Sequence, residues 1–145
     1  MSETPGGGGE GGGDAFDRLS PAMRYQIVNG LGFTGLRPVQ ALSTHAVLDG
    51  KNCVILAPTA GGKTESAFFP VLSAMDAHGW DPVSVLYVAP TRALLNNQDA
   101  RLSRYAQMLG RRAFTWHGDT KTSARRAFLR DPADLLLTTP ESLEV

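Results

Sequence analysis

The sequence has little cysteine, a modest share of charge and no long apolar run. Its 145 residues include one cysteine, Cys53, which excludes an internal disulfide and a cysteine-based zinc framework. No apolar stretch approaches the roughly 20 residues that a membrane-spanning helix needs, and the N-terminus lacks the basic and apolar regions of a signal peptide. We therefore expect a cytoplasmic protein with no membrane contact, and we interpret Cys53 as a buried structural thiol.

The composition is that of one globular domain, with 42% apolar and 19% charged residues. A formal net charge of zero argues against a general polyanion binder, but the charges are unevenly distributed. Residues 92–130 contain nine lysines or arginines and two aspartates, a local balance of +7. This density suits contacts with nucleic-acid phosphates, although most of these arginines individually fit the solvated faces of helices equally well.

The chain begins with a glycine-rich tail, residues 1–13, that has too little apolar surface to fold and is expected to be disordered. The remaining residues, 14–145, are expected to form one domain, with order beginning near Phe16. Helices are predicted to start at Ser20-Pro21 and at Pro38. Their apolar faces are predicted from spacing: Met23, Ile27, Val28 and Leu31 in the first helix, and Val39, Leu42 and Ala46 in the second.

After the second helix, short apolar runs alternate with amphipathic segments. The pattern predicts strands at about 53–57, 83–89, 112–116 and 134–138, and helices at about 62–77, 92–109 and 120–130 between them. Apolar strands joined by helices pair in parallel and are covered on both faces, which predicts a three-layer α/β/α sandwich. Ligands of such sheets bind at the carboxyl ends of the strands, where the loops 57–64, 89–92, 117–119 and 138–141 should meet.

The turn after the first predicted strand is the most informative feature of the sequence. It is rich in small residues, ends in Gly-Lys-Thr and leads into a helix, an arrangement that binds nucleotide phosphates through backbone N–H groups. Residue 57 is alanine where this P-loop pattern usually has glycine. We predict that Thr59, Ala60, Gly61 and Gly62 contact the phosphates, that Lys63 binds the β and γ phosphates, and that Thr64 ligates Mg²⁺.

Five segments, in this order and spacing, resemble the first RecA-like domain of superfamily 2 DEAD/DEAH-box (DExH) helicases, and most closely the Ski2-like and Lhr-like branch. They are Phe33 with Arg37-Pro38-Val39-Gln40, the P-loop at 57–64, Ala89-Pro90-Thr91-Arg92-Ala93-Leu94, His117-Gly118-Asp119, and Thr138-Thr139-Pro140-Glu141-Ser142-Leu143. The resemblance covers about residue 16 to the last residue. It implies that Lys63 and Thr64 serve ATP hydrolysis.

The resemblance to the Q-motif of these helicases implies that Gln40 recognises adenine, which would make ATP the nucleotide. A carboxamide suits this role because it offers both a donor and an acceptor to the base edge. Without Phe33 and the Arg-Pro pair nearby, Gln40 would be interpreted as an ordinary exposed helix residue.

The resemblance also assigns three loops to the sugar-phosphate backbone of DNA or RNA. The predicted contacts are Pro90, Thr91, Arg92, Gly118, Thr139 and Pro140, and binding through such contacts is independent of sequence. Thr91 is at the same time expected to cap a helix. His117 lacks metal-ligand spacing to the other histidines, so we interpret it as a packed residue near Trp116.

The acidic motif II that binds Mg²⁺ and the attacking water is absent from the sequence, as is a second RecA-like domain with its arginine finger. We therefore expect a truncated part of an ATP-dependent helicase or translocase that hydrolyses little ATP by itself. One alternative is a genuine short protein that binds nucleotide or strand without turnover. A P-loop kinase or transferase is a weaker alternative, because no segment resembles a lid over an acceptor.

Overall fold

The computed structural model describes residues 10–58 and 62–144. Contacts within the chain divide it into two compact units, Met1–His78 and Gly79–Val145. The first unit is helical and the second contains a parallel sheet with helices, so the predicted α/β class is confirmed.

The first unit contains four α-helices: α1 (Glu10–Arg18), α2 (Pro21–Tyr25), α3 (Pro38–Leu48) and α4 (Lys63–His78). Helix α1 begins well before Phe16, where order was expected to start, and the buried residues Ala15 within it and Leu19 just after it anchor it. Arg18 donates a 2.7 Å hydrogen bond to Asp49, just after α3. This bond holds the pKa of the Asp49 carboxyl below its usual range.

Helix α2 starts as predicted, with Ser20 accepting a hydrogen bond from the Met23 N–H at 3.3 Å and proline in the first turn. It continues into a π-helical turn, Gln26–Gly30. The wider turn changes the register of the side chains, so that Met23 and Ile27 are buried while Val28 is exposed. The predicted apolar face therefore holds for its first half only.

The predicted apolar face of α3 is wrong. Its buried residues are Gln40, Ala41, Ser43 and Thr44, whereas Leu42 is 73% exposed. The buried polar groups have hydrogen-bond partners, since the Thr44 hydroxyl donates to the Gln40 carbonyl at 2.7 Å and the Ser43 hydroxyl donates to the Ser66 carbonyl of α4 at 2.6 Å. Apolar spacing missed this face because hydrogen bonds, not apolar contacts, define it.

Helix α4 forms the core of the first unit. Phe69, Leu72 and Met75 are completely buried, and the Phe33 ring lies 6.2 Å from that of Phe69. Helix α4 also packs against α3.

The strand predicted at about 53–57 does not form. Residues 51–58 have no regular secondary structure, and Val54 and Leu56 are 85% and 86% exposed. Cys53 is also exposed, so its interpretation as a buried thiol is wrong. A strand is stabilised by the ladder to its neighbour, and in the described part of the chain this segment has no such ladder.

The second unit contains a three-stranded parallel sheet in the order β1-β3-β2, with strands Val85–Val88 (β1), Ala113–Trp116 (β2) and Leu135–Thr138 (β3). Helices α5 (Arg92–Met108), α6 (Thr122–Arg130) and α7 (Pro140–Leu143) follow the strands in turn. These bounds agree with the predicted strands and helices to within a few residues. The register pairs Val85 and Ala113 with Leu135, so all three strands end together.

Helices α5 and α6 contact different faces of this sheet. On one face, Leu135 and Leu137 are completely buried, and Thr115 donates a 2.8 Å hydrogen bond to Asp99 of α5. Alternate residues point to the other face, where Phe114 stacks on Phe128 of α6 with ring centroids 4.7 Å apart. Near β1, however, Leu86 and Val88 remain nearly half exposed.

No helix in the described residues is long and apolar enough to cross a membrane.

Candidate functional site

In the first unit, the residues predicted to bind nucleotide meet at the start of α4. Gly62 has a φ of +73°, a conformation that favours glycine, and Lys63 is the first residue of the helix. The Lys63 side chain is exposed and that of Thr64 is half-buried. The predicted contacts Thr59, Ala60 and Gly61 lie outside the described residues.

Gln40 lies directly against Gly62. A methyl group built on Gly62 would sit 2.5 Å from the Gln40 carboxamide nitrogen, so this approach requires glycine. Gln40 is only 3% exposed, and its carboxamide oxygen accepts a 2.9 Å hydrogen bond from the Arg37 N–H at the start of α3. The side chain is therefore a buried link between α3 and the Gly62 turn, and not the ordinary exposed glutamine that was the alternative.

A proline inside α4 explains how the two helices are fixed together. Pro70 has no N–H, so it cannot bond the Ser66 carbonyl four residues earlier. Ser43 of α3 supplies the missing donor, and its hydroxyl donates to that carbonyl at 2.6 Å. Since Ser66 also donates its hydroxyl to the Gly62 carbonyl at 2.9 Å, the chain of bonds runs from α3 to the Gly62 turn.

These residues fit a nucleoside triphosphate. A helix of 16 residues presents its unpaired N–H groups and the positive end of its dipole where Lys63 adds a full charge. The Thr64 hydroxyl is of the right type for Mg²⁺, but no group of three or more histidine, cysteine or acidic residues that could hold a metal ion occurs in the described residues.

In the second unit, the loops that follow β1, β2 and β3 surround a cavity of about 530 Å³. Four of the six predicted strand-binding residues line it: Pro90, Arg92, Gly118 and Thr139. Thr91 and Pro140 are not among its lining residues. The convergence follows from the parallel register, because all three carboxyl ends lie at one edge of the sheet.

Thr91 and Thr139 shape the two helix starts at this edge. Thr91 caps α5, and its hydroxyl accepts a hydrogen bond from the Leu94 N–H at 3.2 Å, as predicted. Thr139 precedes α7 and is nearly buried, with its hydroxyl 3.4 Å from that of Ser142. The exposed Pro140 fills the first turn of α7.

Arg92 lies across the loop 117–119. Its Nη1 atom forms a 3.0 Å ion pair with Asp119, and a methyl group built on Gly118 would collide with the guanidinium, whose carbon would be 2.8 Å away. Glycine at 118 therefore admits Arg92, where the sequence had suggested that it admits a phosphate.

His117 has the structural role that was expected. It is nearly buried, and its Nδ1 accepts a 3.0 Å hydrogen bond from the Asp119 N–H while Nε2 lies 3.4 Å from the Asn96 carboxamide oxygen. The ring shapes the loop that carries Gly118 and Asp119.

Four lining residues were not among the predicted contacts: Trp116, Arg125, Glu141 and Ser142. The Arg125 guanidinium lies 5.2 Å from the centroid of the Trp116 ring, and its Nη2 donates to the His117 carbonyl at 2.8 Å. Trp116 and Arg125 could have been found only from the direction of their side chains. Trp116 is the last residue of β2 and points towards α6, whose first turns carry Arg125.

Part of the basic segment 92–130 is paired with acidic side chains in the structure. Arg111 pairs with the buried Asp134 at 3.1 Å, and Arg112 donates two 3.0 Å hydrogen bonds to Asp131. These two bonds hold the pKa of the Asp131 carboxyl below its usual range. Of the arginines named here, only Arg92 and Arg125 line the cavity.

Comparisons with known proteins agree with this arrangement. The sequence matches the DEAD/DEAH box helicase family over residues 37–145. It is 33% identical over 147 residues to the Lhr helicase/probable uracil glycosylase of Mycolicibacterium smegmatis, covering 91% of this chain and 10% of that protein. Identity to the ATP-dependent helicase Lhr-Core of Methanocaldococcus jannaschii is 32% over 125 residues, covering 74% of this chain and 15% of the relative.

Among solved structures, the fold is similar to that of the Mycobacterium smegmatis helicase Lhr bound to ssDNA and AMP-PNP. The TM-score is 0.73 with 32% identity, over 89% of this chain and 18% of that chain. The chain thus spans between 10% and 15% of the length of the two curated relatives.

Proposed function

Because the chain belongs to the DEAD/DEAH box helicase family, in its Ski2-like and Lhr-like branch, we propose that it is the ATP-binding part of an ATP-dependent helicase or translocase. Its polymer is DNA or RNA, gripped through the backbone without regard to sequence. ATP and Mg²⁺ are its cofactors, with Lys63 on the β and γ phosphates and Thr64 on the metal. The nucleotide supplies the energy that moves the strand.

The observation that carries this proposal is the cavity at the ends of the three strands. Three loops that are far apart in sequence, after residues 88, 116 and 138, contribute Arg92, Gly118 and Thr139 to one concave surface. A guanidinium, backbone groups and small polar side chains are the groups that hold sugar and phosphate. Contacts to the backbone carry no sequence information, which supports sequence-independent binding.

Exposed apolar segments support the idea that this chain is part of a longer protein. Residues 53–57 are apolar but have no strand neighbour in the described part of the chain, and β1 leaves Leu86 and Val88 nearly half exposed. Neighbouring apolar side chains of this kind are normally covered. Further strands, the acidic motif II and a second RecA-like domain in the same protein would cover them and supply the hydrolytic groups, so this segment alone should hydrolyse little ATP.

Replacing Arg92 with alanine tests the strand site. We expect binding of a fluorescein-labelled oligothymidylate, followed by anisotropy, to weaken by about tenfold and equally for other sequences, because one phosphate contact is lost. The slope of log affinity against log salt concentration should fall by about 0.7.

Arg112→Ala is the matched control, since Arg112 is as exposed as Arg92 and pairs with an aspartate at the same 3.0 Å distance. It lies outside the cavity and should leave the slope unchanged. Equal losses for the two variants would show that only general charge matters, and would contradict the proposed site.

A further inference from the structure

Arg92, which lines the cavity proposed for the strand, forms an ion pair with Asp119, the residue after the lining Gly118. The pair is 3.0 Å long, and the two side chains are 55% and 72% exposed. Arg92 is thus open to solvent and to ligands, but one of its donors is already taken by a carboxylate. A carboxylate and a phosphate present similar anionic oxygens to a guanidinium, so both compete for the same donors.

The loop that carries Asp119 is held in place by several hydrogen bonds. The Asp119 N–H donates to His117 Nδ1, and the His117 N–H donates to the Thr120 hydroxyl, both at 3.0 Å. From α6, Arg125 donates to the His117 carbonyl at 2.8 Å. A carboxylate on so restrained a loop pays little entropy to meet Arg92, unlike a pair of freely moving surface side chains.

The Arg92 guanidinium lies on the open face of Gly118, where a side chain at residue 118 would meet it. Removal of the Asp119 charge leaves this space open, so Arg92 is not excluded from it. The carboxylate therefore competes for the donors of Arg92 but is not needed to make room for the side chain.

We propose that Asp119 is a latch on Arg92: it occupies the guanidinium when no strand is bound, and a strand phosphate must displace it. This inference rests on the proposed function of the cavity. The latch lowers strand affinity, which suits a motor that must release its strand in every cycle. The carboxylate has this effect because it competes with the phosphate for the donors of Arg92.

The expected effect is modest, because both side chains are largely exposed and water screens them. Breaking an exposed ion pair of this kind corresponds to roughly a threefold change in affinity. Asp119→Asn should therefore bind oligothymidylate about threefold more tightly than the unchanged chain at low salt. The difference should shrink as salt is added.

The control is Asp131→Asn, which removes the same charge from a matched pair. Asp131 is 3.0 Å from Arg112, with side chains 56% and 76% exposed, and neither residue lines the cavity. Affinity should change little in this variant. Asp119→Asn is also combined with Arg92→Ala. Without the Arg92 guanidinium there is no donor to compete for, so the threefold gain in affinity from Asp119→Asn should disappear.

The outcomes separate the latch from the function on which it depends. A gain specific to Asp119→Asn that vanishes with Arg92→Ala supports the latch. If the unchanged chain binds the strand but Asp119→Asn binds no better than Asp131→Asn, or gains equally without Arg92, the latch is wrong and the strand site stands. If no variant binds the strand, the proposed function of the cavity fails and the latch with it.

Discussion

Replacing Lys63 with alanine is expected to reduce strand-stimulated ATP hydrolysis by about 10² to 10³-fold in the helicase that contains this segment. The lysine is exposed at the first position of α4, and its ammonium would neutralise charge that grows on the β and γ phosphates during transfer. Hydrolysis is measured with saturating oligonucleotide in a coupled ATPase assay. Binding of the strand itself should persist, because Lys63 is not part of the strand cavity.

Lys51→Ala is the control for this substitution. Lys51 is another exposed lysine of the first unit, and it precedes the turn that is proposed to hold the phosphates. Its removal should leave turnover within about twofold. Retained turnover in Lys63→Ala, or an equal loss in both variants, would remove Lys63 from the proposed ATP site.

Substituting alanine for Gly62 should have the next largest effect, on both stability and nucleotide affinity. The positive φ of this residue costs an alanine about 1 kcal/mol, and the new methyl group would lie 2.5 Å from the Gln40 carboxamide nitrogen. We expect a loss of about 2–3 kcal/mol in the free energy of unfolding, measured with urea. Affinity for a fluorescent ATP analogue should fall at least about tenfold, because the amides of the turn move.

Gly50→Ala separates the cost of the positive φ from the cost of the collision with Gln40. Gly50 has nearly the same φ, +74°, but no atom lies within 4 Å of a methyl group built there. It should therefore show the backbone cost alone, about 1 kcal/mol, with unchanged nucleotide binding. When Gln40 is also replaced by alanine, the loss of stability from Gly62→Ala should approach that from Gly50→Ala. If Gly62→Ala and Gly50→Ala cost the same with Gln40 present, Gln40 does not restrain the turn.

The sequence was most informative where local chemistry decides the structure. The strands ending at Val88, Trp116 and Thr138, and the caps at Ser20 and Thr91, follow from apolar runs and from side-chain oxygens beside free N–H groups. The meeting of the strand-end loops could also be predicted, because parallel strands bring their carboxyl ends to one edge. Four of the predicted strand-binding residues accordingly line one cavity.

The failures came where partners distant in sequence decide the outcome. The face of α3 depends on the bond between Ser43 and the carbonyl that Pro70 leaves free, which apolar periodicity cannot reveal. The apolar run around Val54 has strand propensity, but propensity alone forms no strand without a neighbouring ladder. The ion pair of Arg92 with Asp119 joins residues from two different loops, and no local pattern indicates it.

The central claim is that this chain holds a nucleoside triphosphate at the start of α4 and a nucleic-acid backbone at the ends of its strands. The most direct test is an NMR titration of the ¹⁵N-labelled chain, first with a non-hydrolysable ATP analogue and Mg²⁺, then with oligothymidylate. The account predicts that the nucleotide shifts the amides of Gln40, Gly62, Lys63 and Thr64, and that the oligonucleotide shifts those of Arg92, Gly118, Asp119 and Thr139. Unchanged amides at both sets of residues, with ligand in large excess, would contradict it.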